Sequence, residues 1–168
     1  MDDEFNGFFR KEYSRVVKVV MYAGATLEES EDAVSSAMAQ AYARWPWLTQ
    51  PDAWVRTVAL RSYLKKVAKD RRRGQLEMTA ARQDCLDRVP VGVHEEPDER
   101  SRVIAVLSCL PPAQRTVMAL TLDGYTPTEI AQMLHQRAET VRSNLRHARW
   151  KLRGELKNRN DRKETGLD

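Results

Sequence analysis

The sequence predicts an all-α protein made of two small helical domains joined by a flexible linker. Seven glycines and seven prolines among 168 residues fall below the typical share of roughly 12%, which disfavours a β fold dense in turns. Apolar residues recur at intervals of three and four along most of the chain, as on one face of a helix. A polar, acidic stretch at 74–97 lacks this period. It separates a first domain at 1–73 from a second at 98–160, with a tail at 161–168.

Three helices are predicted in the first domain. An aromatic and valine stripe, Phe5–Val20, is the inner face of the first helix. The second begins at a capping box, Thr26–Glu29, whose side chains bond free amides at the helix start, and it leads to Trp45. Pro51 suits the first position of the third helix, because proline has no N–H to lose there. This helix reaches about residue 73.

The second domain ends in a predicted helix-turn-helix. A second capping box, Thr126–Glu129, starts a short helix, and the turn His135–Ala138 separates it from a longer, basic helix. In this motif the second helix enters the major groove of DNA and its outward residues reach the base edges. Arg142 and Arg146 are the natural base readers, since arginine pairs bidentately with guanine. An ordinary helical hairpin with a charged outer face is the simpler alternative.

The net charge of +4 hides two basic blocks. Residues 56–73 hold eight basic residues and one acidic, and residues 137–163 hold ten basic and three acidic. Acidic stretches at 1–32 and 84–100 precede and separate them. One such block is often a solvated helix face, but two separated blocks favour a polyanion contacted twice.

Few features favour an enzyme. Cys85 and Cys109 form no CxxC pair, and His94, His135 and His147 lack the spacing of metal ligands. Glycine-rich phosphate loops and nucleophile motifs do not occur. No catalytic residue, metal or cofactor is therefore expected. Since no apolar run approaches the ~20 residues of a membrane span and the acidic start is unlike a signal peptide, a cytoplasmic location is expected.

Two groups of residues are typical of one family. The first is Leu110–Arg115, Gly124–Thr126, Glu129–Ala131, Leu134, Thr140-Val141, Ser143 and Ala148-Arg149; the second is Glu31-Asp32, Trp45 and Ala53–Arg56. In this order they resemble bacterial sigma factors of the extracytoplasmic-function (ECF) subfamily, over nearly the whole chain. The resemblance implies that the second domain recognises the −35 promoter element. It implies that the first domain binds the clamp of RNA polymerase and melts the −10 element.

The resemblance also implies roles for individual residues. The residues expected to contact −35 DNA are Arg137, Thr140, Arg142, Ser143, Arg146, His147 and Arg149. Those expected to contact the −10 strand are Trp47, Arg56, Arg61, Lys65 and Lys66. Those expected to contact the core polymerase are Glu31, Asp32 and Ser35. Trp45 and Trp54 are expected in the core, whereas Trp47 is expected to be exposed and to stack on an unpaired base. The expected partners are the large subunits of core RNA polymerase and promoter DNA, and an anti-sigma factor is left open.

The chain differs from the family pattern at several positions, and a second function is also considered. Many relatives carry asparagine at the position of Arg61, and Gln followed by Glu or Thr at Ser35-Ser36. The turn has His135 where glycine would be easiest. The rival is a helix-turn-helix regulator that dimerises on duplex DNA without being a polymerase subunit.

Overall fold

Seven α-helices and one 3₁₀ turn form the described part of the chain, residues 2–72 and 98–164 of a computed structural model. No β-strand occurs in these ranges, so the predicted all-α fold class is confirmed. The helices are α1 (Asp2–Tyr22), α2 (Leu27–Ala43), α3 (Pro51–Arg72), α4 (Glu99–Ser108), α5 (Pro112–Leu122), α6 (Pro127–Leu134) and α7 (Ala138–Glu164). The 3₁₀ turn, Trp45–Trp47, lies between α2 and α3.

The helix boundaries bear on the domain limits expected from the sequence. The linker expected at 74–97 lies outside the described residues. Asp98 caps α4, because its carboxylate accepts from the Ser101 N–H at 2.8 Å. At the other end α7 continues to Glu164, into the segment expected to be a tail. Lysine, arginine, glutamate and leucine are common in this part of the sequence, and all of them favour helix.

Both predicted capping boxes are confirmed. At the start of α2, the Glu29 N–H donates to Thr26 Oγ1 at 3.2 Å and the Thr26 N–H donates to Glu29 Oε2 at 3.0 Å. Thr126 and Glu129 make the same pair of bonds at the start of α6, at 3.3 and 2.7 Å. The bond from the Thr26 backbone lowers the pKa of Glu29. Bonds from the Thr126 hydroxyl and backbone lower the pKa of Glu129.

The turn of the helix-turn-helix uses a histidine in the left-handed conformation. His135, at φ 51° and ψ 46°, ends α6. This conformation lets the Gln136 N–H donate to the Ala131 carbonyl at 2.9 Å, which pairs one of the carbonyls left free at a helix end. The turn therefore forms without the glycine that is usual at such positions.

The two predicted domains are in contact through α1 and α3. Helix α1 packs against α2 and α3 on its own side and against α4 and α5 of the second domain, while α3 also contacts α6. Buried apolar side chains from both sides form one continuous cluster. Its largest fully buried members are Met38, Leu60, Leu110, Leu120, Ile130, Val16, Val19, Val20, Val34, Val55, Val117 and Val141.

Candidate nucleic-acid and polymerase interfaces

The residues expected to read duplex DNA share the outer face of α7 and the turn before it. Val141, Leu145 and Ala148 point into the core, and the helical period of 3.6 residues turns most of the positions between them outward. Ser143 is half-buried, and the other members are exposed: Arg137, Thr140, Arg142, Arg146, His147 and Arg149. All seven residues are therefore at least partly accessible to solvent. Arg137 makes only a long ion pair, 3.7 Å from Glu139, and both side chains are largely solvated.

One further arginine belongs to this face. Arg153 lines a shallow cleft of about 220 Å³ together with Arg142, Arg146, Arg149 and Pro127. The spacing of four, three and four residues places the arginines in one row along α7. Sequence reasoning stopped at Arg149, although the same spacing extended one turn further would have included Arg153.

The residues expected to contact the polymerase lie together on α2. Glu31, Asp32 and Ser35 are all exposed there. The Ser35 Oγ lies 3.1 Å from the Tyr13 hydroxyl oxygen of α1, which ties this edge of α2 to its neighbour. The three side chains form an acidic and polar surface on the first domain.

The two tryptophans of the 3₁₀ turn and Trp54 at the start of α3 differ in exposure. Trp47 is 77% exposed, as expected. Trp45 is half-buried, and its ring meets the Phe5 ring edge-on at a centroid distance of 5.2 Å. Trp54 is also half-buried and packs against the core, and the Arg44 guanidinium lies 5.9 Å from its ring centroid. Trp47 therefore offers the free aromatic face, whereas the other two rings pack against neighbouring side chains.

The basic residues expected along the −10 strand have different environments. Lys65 and Lys66 are exposed on α3, and Lys66 Nζ pairs with Glu29 Oε1 at 3.1 Å. Arg61 is exposed in part, but its Nη2 donates to the Met133 carbonyl of α6 at 3.0 Å. That carbonyl is in the last turn of α6, where the helix has no further N–H to offer.

Arg56 lies in a buried ion cluster instead of at the surface. Its side chain is only 3% exposed, and its Nη2 donates to Glu12 Oε2 of α1 at 2.8 Å. Its Nε donates to Asp123 Oδ2, at the end of α5, and its Nη1 donates to the Asp52 carbonyl at 3.0 Å. Burial opposes the charge on Arg56, but the Asp123 and Glu12 carboxylates outweigh burial and raise its pKa.

This cluster buries Arg56, which was expected to contact DNA at the surface. Three of the five N–H groups of Arg56 donate to Asp123, the Asp52 carbonyl and Glu12, and the side chain is almost fully buried. Sequence reasoning missed Glu12 and Asp123. Glu12 left a local signal, since it lies four residues from Phe8 and from Val16 on the inner stripe of α1.

Tyr125 covers the cluster from the second domain. The Arg56 guanidinium lies 5.6 Å from the Tyr125 ring centroid, a distance at which a cation is attracted to the ring face. The Tyr125 hydroxyl donates to Asp52 Oδ2 at 3.3 Å. Burial, with the nearby Asp52 and Asp123 carboxylates, raises the pKa of Tyr125 against the opposing charge of Arg56.

A groove of about 600 Å³ lies where the two domains meet. Residues from the first domain form one wall, among them Trp47, Trp54 and Arg61, and Gln132 and Met133 of α6 belong to the other. Two of the residues expected to contact the −10 strand, Trp47 and Arg61, thus face the second domain across this groove.

Within the described ranges, no group of three or more His, Cys, Asp or Glu side chains is placed to hold a metal ion. No helix in the same ranges is both long and apolar enough to cross a membrane.

Comparisons with known proteins agree with this geometry. Residues 100–152 match the family model "Sigma-70, region 4". The fold is similar to that of the sigma factor RpoE from Bartonella quintana, solved in complex with the anti-sigma factor NepR, with a TM-score of 0.69. The match covers 92% of this chain and 97% of that chain at 16% sequence identity, so it shows a shared fold. No curated protein matches the sequence.

Proposed function

We propose that this chain, with its sigma-70 region 4 domain and the fold of an ECF sigma factor, is a promoter-specificity subunit of bacterial RNA polymerase. It binds the core enzyme and directs it to start transcription at defined promoters. The observation that carries the proposal is the exposed face of α7, where Arg142, Arg146 and Arg149 lie within the residues that match region 4 and Arg153 follows directly after them.

The second domain reads the −35 element as duplex DNA. Arg142 and Arg146, near the start of the recognition helix, pair with base edges in the major groove. His147 and Arg149, with Arg153 one turn further, bind phosphates. Such contacts fix the register of the protein on the duplex and carry no sequence information themselves.

The first domain supplies the contacts with polymerase and with the melted strand. Glu31, Asp32 and Ser35 bind the clamp of the large subunit. Trp47 stacks on an unpaired base of the −10 element, because an exposed aromatic ring next to basic side chains suits single-stranded DNA. Lys65 and Lys66 follow the strand backbone, together with Arg61.

The chain performs no chemistry of its own in this proposal, and RNA synthesis belongs to the core polymerase. The function places the protein in the cytoplasm, where polymerase meets the chromosome. The structural neighbour was solved with an anti-sigma factor, and we propose that a regulator of this kind restrains the present chain as well.

Run-off transcription with purified core polymerase on genomic fragments tests the proposal. We expect transcripts with defined starts that appear only when the chain is added. Starts that do not depend on the chain would refute the proposal. A chain that is dimeric in solution and binds duplex sites tightly without polymerase would instead favour the helix-turn-helix regulator.

Charge reversal at Asp32 tests the proposal that α2 binds the core polymerase. Asp32→Lys should weaken binding to the core enzyme roughly tenfold, because an exposed charge in a complementary interface mainly affects association. Asp3→Lys makes the same charge change at an exposed site on α1 and serves as the matched control. Equal affinities of the two variants would exclude Asp32 from the polymerase contact.

A further inference from the structure

Charged side chains from both domains meet in a buried site at the boundary between them. Arg56 and Glu12 come from the first domain and Asp123 from the second, and their side chains are 3–5% exposed. Separation of the domains breaks the charge-assisted bond between Arg56 and Asp123, so the set stabilises the arrangement in which all three meet. Asp123 is the only one of the three that leaves when the domains separate.

Two more polar contacts cross the same boundary. Arg61 of α3 donates to the Met133 carbonyl of α6, and Tyr125 donates to Asp52 at the start of α3. Gly24 adds a close approach elsewhere on the boundary, since a Cβ placed on it would collide with the Arg115 guanidinium of α5. The two polar contacts act in the same direction as Asp123.

The contacts affect the candidate surfaces unequally. The recognition face of α7 and the polymerase face of α2 are exposed in this arrangement. By contrast, Arg56 is buried, Arg61 is bonded to α6, and Trp47 and Arg61 line a groove shared with α6. The closed arrangement thus leaves two surfaces available and engages Arg56 and Arg61 of the third, on which the −10 strand would lie, while Lys65 and Lys66 stay exposed.

We propose that Glu12, Arg56 and Asp123 form an interdomain latch that holds the helix-turn-helix domain over the strand-binding face of the first domain. Opening removes the Asp123 carboxylate from Arg56 and the Met133 carbonyl from Arg61. Phosphates of single-stranded DNA then take the places of these acceptors, because a phosphate offers the same charge-assisted bonds to a guanidinium. The latch rests on the proposed function, since it regulates the same strand-binding face.

The test compares Asp123→Asn with the unaltered chain, using the full-length protein. Asparagine keeps the shape of the side chain but removes the charge that Arg56 faces across the boundary. The matched control, Asp3→Asn, removes the same charge from an exposed site on α1. Fluorescent dyes on Asn6→Cys and Gln136→Cys, both exposed positions, report the distance between the domains. Cys85→Ser prevents a third label, and Cys109 is buried.

We expect Asp123→Asn to shift the equilibrium toward the open form by about tenfold, as for loss of a hydrogen bond between charged groups. Binding of a labelled single-stranded DNA of random sequence should strengthen by a similar factor. Binding of a duplex carrying the −35 element should not change. Tyr125→Phe, which removes only the hydroxyl bond to Asp52, should produce a smaller shift of about threefold in the same direction, and it serves if Asp123→Asn does not fold.

An unchanged interdomain distance in folded Asp123→Asn and Tyr125→Phe would overturn the latch. So would an opened chain whose strand binding equals that of the unaltered protein. If the variants open but no form of the chain supports run-off transcription, the latch holds the domains together as proposed and the sigma-factor function fails. The dye measurement requires no polymerase, so the two failures are distinguishable.

Discussion

The two basic helices, α3 and α7, differ in what surrounds their charges. On α7 the outward arginines face solvent, and Arg137 has only a weakly placed acidic neighbour. On α3 the first two arginines are engaged by the second domain, Arg56 with Asp123 and Arg61 with Met133. Similar basic composition therefore gives one row of exposed arginines on α7 and, on α3, two arginines that are bonded to the second domain. Net charge alone does not distinguish these two states.

The largest effect is expected from Arg56→Ala, which removes the buried guanidinium of α3. The substitution removes the guanidinium that pairs with the buried carboxylates of Glu12 and Asp123, and it should lower the free energy of unfolding by about 3–5 kcal/mol. Arg10→Ala, at an exposed position on α1, should change it by less than about 0.5 kcal/mol. Urea unfolding followed by circular dichroism measures both. Equal values for the two variants would mean that the buried cluster does not stabilise the fold.

On the exposed face of α7, single substitutions distinguish residues that contact bases from residues that contact phosphates. Arg146→Ala should cost about 1–3 kcal/mol of binding and relax preference at one position of the upstream element. Arg149→Ala should weaken binding evenly across sequences and reduce its salt dependence. Duplex binding at several salt concentrations, with a set of single-base variants, provides the measurement. A uniform loss for Arg146→Ala would reassign that residue to phosphate.

Trp47→Ala sharpens the comparison at the exposed end of the groove. Loss of stacking should weaken capture of the melted strand by about 1–3 kcal/mol. Because the ring is 77% exposed, the free energy of unfolding should be nearly unchanged. Trp45→Ala is the opposite case, since its ring packs on Phe5 and Phe8, and it should reduce stability. Promoter opening that is insensitive to Trp47→Ala would remove this residue from the strand contact.

The smallest effect concerns the two capping boxes, one in each domain. Thr26→Ala and Thr126→Ala should each lower the free energy of unfolding by about 1 kcal/mol. The pKa of Glu29 is lowered in the folded chain, so its contribution is complete above the pKa of the unfolded state. The contribution is lost as the pH falls through the lowered folded value. Unfolding of Glu29→Gln, which removes the titrating charge, and of the unaltered chain between pH 7 and pH 3 should therefore converge at the acid end. A constant difference would mean that the charge of Glu29 does not stabilise the folded chain.

Features that depend on residues three or four positions apart could be predicted from the sequence. The capping boxes at Thr26 and Thr126 and the inward face of α7 follow from spacings of three and four residues, and the structure confirms them. The environment of Arg56 could not be derived in this way. Its partners Glu12 and Asp123 lie 44 and 67 positions away, and only the packing of α1, α3 and α5 brings them together. A basic residue in a basic block therefore gave no sign of its burial.

Permanganate footprinting of a promoter complex tests most directly whether two surfaces of one chain read two promoter elements. The complex would contain core polymerase and the chain on a fragment that gives a defined start. We expect reactive thymines near the start together with protection of the duplex upstream. Trp47→Ala should reduce the reactivity and keep the upstream protection, whereas Arg146→Ala should reduce the upstream protection first. Loss of both signals in equal measure in each variant would contradict the division between α3 and α7.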